Sequence, residues 1–182
     1  MLQTYENFDN KMLNDCNYPV IYKKLLFAFS FFHAIIQDRR KFGPIGWNIR
    51  YEFTNEDLVV CFRQLKIFLD EAASEEAVPY KVLQFLGAEI NYGGRVTDDK
   101  DGRCIINIIR RFVNPDVVQD GYKLSESGKY VSIKAGSLED YVQYIESFDL
   151  NPHPEAFGLH ENAEITTNQN ETRLILENVL SI

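Results

Sequence analysis

From Pro19 to about Arg40 the sequence is apolar on nearly every side, and a turn rich in Gly and Pro follows it. Pro19 suits the first turn of a helix, where a missing backbone N–H costs nothing. Apolar residues all round predict a helix that is buried on several sides. The run Val20–Ile36 is shorter than the ~20 residues that a membrane span needs, and lysines interrupt it. We therefore expect the core helix of a mainly helical protein, cut from something larger.

The end of this helix is basic and leads into a rigid turn. Arg39 and Arg40 suit a helix C-terminus, whose unpaired carbonyls carry partial negative charge. Gly43 is predicted to cap the helix and Pro44 to prevent its continuation. Trp47, held in this turn, is predicted to anchor the helix to the next part of the chain. The alternative is an exposed Trp47 that meets a neighbouring unit.

Further helices are indicated by caps followed by apolar residues at helical spacing. Their predicted starts are Thr54, Pro79, Thr97, Ser137 and about Thr167. The predicted inner faces are Leu58, Phe62, Leu65 and Leu69; Val82, Leu83, Leu86 and Ile90; Ile105, Ile108, Ile109 and Phe112; Tyr141, Val142, Ile145 and Phe148; and Ile175, Leu176, Val179 and Leu180. One period-two stretch, 122–133, predicts a small β-hairpin. The predicted fold class is mainly α.

Charge and cysteine content limit the possible partners. Net charge is −8 over 182 residues, and no dense cationic patch is evident beyond Arg39-Arg40-Lys41. This argues against nucleic acid, which needs a cationic surface, and against an anionic membrane. Three widely spaced cysteines indicate a reduced, intracellular protein without disulfides. Cys61 and Cys104 are predicted to be buried thiols.

Catalytic, cofactor and metal motifs are missing from the sequence. No phosphate-binding loop of the type Gly-x-x-x-x-Gly-Lys-[Ser/Thr] is present, and no set of residues has metal-ligand spacing. Asp99, Asp101 and Gly102 imitate the middle of a calcium loop, but Ile108 stands where the bidentate Glu belongs. Acids that favour a helix N-terminus explain the same residues. His33, on an apolar helix, is predicted to be a satisfied core or interface residue.

Three segments together resemble dynein heavy chains. They are Phe31–Asn48, Asn91–Asp99 and Pro154–Ala163, in the order and at about the spacing of that family. The resemblance is to the C-terminal part of the sixth AAA module and implies a helical bundle of the AAA+ lid type. It assigns residues 1–48 to the end of the large subdomain with its connecting helix, and 49–182 to the helical lid. The run Gly158–Ala163, which includes His160, is closer to axonemal than to cytoplasmic dyneins.

Arg95, after Gly93 and Gly94, has two interpretations. The glycines close one helix, and Arg95 then forms a structural salt bridge in a tight turn between helices. By resemblance, an arginine at the start of a late AAA+ lid helix can instead contact nucleotide phosphates as a second sensor, a task that suits the planar guanidinium. The corresponding module of the family does not bind nucleotide, which favours the structural interpretation.

The resemblance implies a part of a motor without its own active site. Dyneins are ATP-driven, minus-end-directed microtubule motors, and the sixth lid would relay conformational change around the ring. ATP and magnesium would belong to the parent motor and not to this segment. Its direct partners would be neighbouring AAA modules and the C-terminal domain of the same heavy chain. Other dynein subunits, including intermediate chains, and microtubules would be reached through the parent in the cytoskeleton of a ciliary axoneme.

Two other classes of protein remain open at this stage. The chain could be a free-standing helical adaptor, which would behave well as a monomer or a defined oligomer. It could be an enzyme whose site has no recognisable motif, which would gain stability with its ligand.

Overall fold

A computed structural model describes residues 1–149 and 151–180 of the chain, and helices build most of it. The predicted lid segment 49–182 includes Leu150, Ser181 and Ile182, which lie outside the described residues. The α-helices are α1 (Leu2–Tyr5), α2 (Asn10–Asn14), α3 (Pro19–Asp38), α4 (Asn55–Glu71), α5 (Tyr80–Phe85), α6 (Asp99–Phe112), α7 (Leu138–Glu146) and α8 (Ala163–Leu180). Short 3₁₀ turns cover Arg39–Ile45, Glu75–Ala77, Gly93–Arg95, Pro115–Val118 and Pro154–Phe157. The mainly α class predicted from the sequence is confirmed.

Helix α3 is the centre of the fold. Pro19 occupies its first turn, and most of its residues are buried, so the predicted core helix is confirmed. It packs against α4, α6 and the turn Pro115–Val118. Among the described residues, this helix and the turn after it are also the one stretch long and apolar enough to cross a membrane, but 78% of that window is buried within the protein.

The predicted end of α3 needs correction. The helix ends at Asp38, and a 3₁₀ segment continues to Ile45, because tighter turns satisfy some of the last carbonyls of a helix. Gly43 therefore lies inside this turn and does not cap α3. It has φ 56° and ψ −135°, a conformation that glycine adopts without strain, and its carbonyl accepts the N–H groups of Gly46 and Trp47.

Helices α4 and α6 follow their predicted patterns closely. Thr54 and Asp57 form the capping box of α4. The cap of α6 is Asp98, one residue after the predicted Thr97, since the Asp98 carboxylate accepts the N–H groups of Lys100 and Asp101. Both predicted inner faces are buried.

The predicted inner face of the helix after Pro79 was wrong in part, since Leu83 is buried and Leu86 partly buried but the other two residues are not. Val82 and Ile90 are 41% and 52% exposed. For Ile90 the reason is a change of helix type, because α5 gives way to a π-helix at Leu86–Asn91 and the wider turn moves other residues inward. Gly87 now faces α6, and a Cβ atom there would lie 2.4 Å from the Cδ1 atom of Ile109.

The predicted hairpin is reduced to a single antiparallel bridge, between Lys123 and Val131. Around it, the N–H of Leu124 donates to the carbonyl of Tyr130 at 2.8 Å. The side chain of Ser125 accepts the N–H of Tyr130, and the hydroxyl of Ser132 donates to a carbonyl outside the hairpin. Local side-chain bonds of this kind compete with a regular ladder.

The two ends of the chain complete the structure. Tyr5 of α1 is buried and its ring stacks on Tyr141 of α7, with centroids 5.9 Å apart. Helix α8 begins at Ala163, earlier than the predicted Thr167. Its predicted apolar face is exposed, from 55% at Leu176 upwards, so this helix rests on the fold only near its start and near the turn Arg39–Ile45.

Candidate functional site

The first and third of the segments that carry the resemblance meet where α3 ends, beside the start of α6, where the second segment ends. We call this place the junction and define it by Arg39, Phe42, Trp47, Asp101 and Phe157. The 3₁₀ turn after α3 supplies the first two, the N-terminus of α6 supplies Asp101, and the turn Pro154–Phe157 supplies the last.

Trp47 is buried at the junction, with 4% of its surface exposed. Its indole N–H donates to the carbonyl of Ile36 at 2.9 Å. This carbonyl lies in the last turn of α3, where the helix itself supplies no donor. The ring packs edge-on against Tyr51 and Phe53, with centroids 6.0 and 5.8 Å away. This placement fits the anchoring role predicted for Trp47 and not the exposed alternative.

Arg39 is an unusual group, because it is a buried guanidinium that forms no ion pair with any described residue. It is 5% exposed, and its Nε atom donates to the carbonyl of Gly46 at 3.1 Å. Its two Nη atoms donate to the carbonyl of Phe157 and, at 3.4 Å, to the Sγ atom of Cys104. The guanidinium also lies 5.1 Å from the centre of the Trp47 ring. Burial lowers the pKa of Arg39, which the nearby Cys104 and Asp101 partly offset.

These contacts tie the first segment to the third. Phe42 packs edge-on against Phe157, with ring centroids 5.0 Å apart.

Arg40, the neighbour of Arg39, is exposed, and so is Pro44. His160 is also exposed, and its Nδ1 atom accepts the N–H of Asn162 at 3.2 Å, so its described contact is local.

Acidic residues of α6 tie the first segment to the second. The carboxylate of Asp101 is buried and accepts the backbone N–H groups of Asn48 and Ile49 at 3.1 and 3.2 Å. Asp98 accepts the side-chain amide of Asn48 at 3.0 Å. Of the two acids that resemble part of a calcium loop, Asp101 is therefore engaged with backbone amides, whereas Asp99 is exposed. Within residues 1–149 and 151–180, no group of three His, Cys, Asp or Glu could hold a metal ion.

Arg95 lies in the salt bridge that the structural interpretation predicts. Its Nη2 atom is 3.2 Å from Oδ1 of Asp57, and the arginine side chain is 49% exposed while the Asp57 side chain is 9% exposed. Gly93 is needed for the turn, since a Cβ there would lie 2.3 Å from the carbonyl oxygen of Ala88. Gly94 meets nothing within 4 Å. A contact between Arg95 and a phosphate stays a prediction.

A buried polar chain lies beside this turn and includes His33. Its Nδ1 atom is 2.9 Å from the hydroxyl of Tyr92, and its Nε2 atom is 3.2 Å from Oδ1 of Asn55. Burial lowers the pKa of His33, because the charged form loses its hydration. His33 is a satisfied core residue, as its position on an apolar helix predicted.

The two thiols that were predicted to be buried differ in exposure, since Cys61 is buried and Cys104 is only partly buried.

The sequence analysis missed a row of cations on the outer face of α6. Lys100, Arg103 and Arg111 are exposed there and line a groove of about 370 Å³ together with Arg39. These three residues are separated along the sequence, and the turns of α6 place them on one face of the helix. Lys100 and Arg103 are three residues apart, and Arg111 follows eight residues later, so a search over whole helical turns would have found them.

Comparison with known proteins gives a consistent result. A family model described as "Dynein heavy chain AAA lid domain" matches residues 22–163. The chain is 48% identical to dynein axonemal heavy chain 1 of Homo sapiens, with 100% of this chain and 4% of that protein aligned. It is 42% identical to dynein axonemal heavy chain 3 of Mus musculus, covering 99% of this chain and 4% of that protein. Dynein axonemal heavy chain 12 of Homo sapiens is 42% identical over 87% of this chain and 5% of its own length.

Proposed function

Because this chain belongs to the dynein heavy chain AAA lid family, we propose that it relays conformational change around the ring of a minus-end-directed microtubule motor. The chain spans about 4% of the length of dynein axonemal heavy chains 1 and 3, so motor activity belongs to the parent protein in this proposal. The segment itself is a lid and not a catalytic AAA site.

The junction is the observation that supports a relay by rigid-body movement. Packed helical units shift as blocks, because a close-packed core does not deform continuously. Arg39 and Trp47 join the end of α3 to α6 and to the turn Pro154–Phe157 through buried contacts. A displacement of any one of these elements therefore displaces the others with it.

The surroundings of the segment are part of the proposal. Residues 1–48 would complete the large subdomain of the sixth module, and 49–182 would form its lid. The direct partners would be the neighbouring AAA modules and the C-terminal domain, with other dynein subunits and microtubules reached through the parent. ATP and magnesium would act elsewhere in the parent. The axonemal relatives favour a place in the cytoskeleton of a cilium or flagellum.

The competing interpretation, a free-standing helical adaptor, is not favoured. The family match covers residues 22–163, and the alignments with axonemal heavy chains run along nearly the whole segment. We also propose that the segment alone does not bind ATP, since the sequence lacks a phosphate loop. Calorimetry with magnesium-ATP should give no binding heat. A micromolar site that is lost in Arg95→Ala would instead support the second-sensor role.

The relay is tested by weakening the junction in a full-length heavy chain that carries this segment. Arg39→Met keeps much of the side-chain volume but removes the bonds to Gly46 and Phe157. The exposed neighbour provides the matched control, Arg40→Met. We expect basal ATP hydrolysis to stay within about twofold, while microtubule gliding slows by about tenfold or more in Arg39→Met alone, because a coupling of 1–3 kcal/mol amounts to about 5–150-fold. Equal gliding by both variants would contradict the proposal.

A further inference from the structure

The outer face of α6 carries a groove whose charge is opposite to that of the chain as a whole. The chain has net charge −8, yet four cations line this groove: Arg39, Lys100, Arg103 and Arg111. Among the described residues that line it, none is a carboxylate. We define this surface as the α6 groove.

The exposed cations of the α6 groove are not neutralised within the described part of the chain. Lys100, Arg103 and Arg111 take part in none of its ion pairs. Asp98, the cap of α6, accepts the backbone N–H groups of Lys100 and Asp101, and Lys100 helps to lower its pKa. The groove therefore has cationic donors available to an external anion.

The length of the α6 groove indicates a polymer and not a small anion. Lys100 and Arg111 are eleven residues apart on one helix, or about 17 Å at 1.5 Å per residue. One phosphate or carboxylate cannot contact both ends. An extended polypeptide covers that distance with about five residues.

The floor of the α6 groove indicates which polymer fits. Ile108, Cys104 and Phe157 form an apolar floor between the cations. Phe157 is only 3% exposed, so its ring offers no open face on which a nucleic acid base could stack.

We propose that the α6 groove binds an acidic polypeptide segment that carries apolar side chains between its carboxylates. The carboxylates pair with Lys100, Arg103 and Arg111, and the apolar side chains lie against Cys104, which is partly exposed between the cations. Arg39 supports the groove from inside the fold, since its guanidinium donates a hydrogen bond to the carbonyl of Phe157. This site is independent of whether the segment relays motion in a motor.

The test uses the 182-residue chain and a short fluorescein-labelled peptide in which Glu and Leu alternate. Binding is followed by fluorescence anisotropy, and a matched peptide has Gln in place of Glu. The variant Lys100→Glu/Arg103→Glu reverses two exposed groove charges. The variant Arg63→Glu/Lys81→Glu makes the same change of charge at two exposed positions elsewhere.

We expect the groove variant to bind the Glu-Leu peptide about tenfold more weakly, since each exposed charge pair contributes a factor of about five or less. The control variant should change affinity by less than about twofold, and added salt should weaken binding by the wild type. Circular dichroism should show the same fold in both variants.

Several outcomes would overturn the assignment. They are an absence of peptide binding, equal binding of the Gln peptide, equal losses in the two variants, or binding that does not respond to salt. Tighter binding of single-stranded DNA would identify a nucleic acid surface instead. Displacement of the peptide by inorganic phosphate, but not by chloride at equal ionic strength, would identify a small-anion site.

Discussion

Replacing Trp47 by Ala should be among the most destabilising single changes in the chain. Loss of a buried Trp ring in this way costs about 3–5 kcal/mol through lost transfer energy and the cavity left behind. We expect the upper part of this range, because the indole N–H also satisfies the carbonyl of Ile36 and the ring faces the guanidinium of Arg39. Since domains of this kind unfold with about 5–15 kcal/mol, much of the stability would be lost.

Urea unfolding followed by far-ultraviolet circular dichroism measures this effect. With a slope of about 2–3 kcal/mol per molar urea, a loss of 4 kcal/mol lowers the midpoint by about 1.5–2 M. Trp47→Phe is the matched control, because it keeps a ring but leaves the Ile36 carbonyl without its donor, at a cost of about 1–3 kcal/mol.

The wild-type emission provides a second check on Trp47. It is the one Trp of the sequence, so intrinsic fluorescence reports on this position alone. A buried indole should give blue-shifted emission that is protected from quenchers. Red-shifted emission, together with a loss below about 1 kcal/mol in Trp47→Ala, would refute the anchoring argument and move Trp47 to an interface with another unit.

Three further changes probe other parts of the fold by the same unfolding assay. Arg95→Ala should cost no more than about 1 kcal/mol, because its bridge is half-exposed; a loss above 3 kcal/mol would contradict this. Burial lowers the pKa of His33, so the unfolded state takes up the proton first as pH falls through its ordinary value of about 6.5. Stability should therefore fall between about pH 7.5 and pH 5.5 more steeply in the wild type than in His33→Gln, and equal slopes would exclude this role. Gly87→Ala should cost about 1–3 kcal/mol by overpacking against α6, whereas Gly102→Ala, with nothing within 4 Å, should be neutral or stabilising. Equal effects of the two glycine changes would contradict the packing argument.

Much of the helical framework could be predicted from local sequence. Pro19 at a first turn, the capping box at Thr54 and the apolar spacing from Ile105 to Phe112 each depend on residues close together in the chain. The single-residue error at the start of α6 arose because Thr97 and Asp98 are both good caps.

The misses share a physical cause, which is that tertiary contacts decided the local geometry. Ile90 fits an α-helical face, but close packing of Gly87 on α6 accompanies a π-helix that turns Ile90 outward. In the hairpin, side-chain bonds replace part of the ladder, because Ser125 accepts the N–H of Tyr130 and the hydroxyl of Tyr144 binds both backbone groups of Val131.

The junction was predictable only in part. Trp47 and Arg39 stood out as members of a turn with unusual residues, yet burial of the guanidinium depends on Phe157, far away in sequence. The cations of the α6 groove were missed because Lys100, Arg103 and Arg111 form no run in the sequence. Only the helix brings them to one face.

Hydrogen exchange on a full-length heavy chain that carries this segment tests the rigid-body relay directly, since it reports local opening of backbone amides. Exchange is compared between the ATP-bound and nucleotide-free motor, at the turn Arg39–Ile45, at Trp47 and along α6. If the segment moves as one block, these amides keep the same protection in both states, and changes are confined to its exposed surfaces. Loss of protection at Arg39–Ile45 or Trp47 in one nucleotide state, with α6 unchanged, would show that the junction opens and would contradict the relay proposed here.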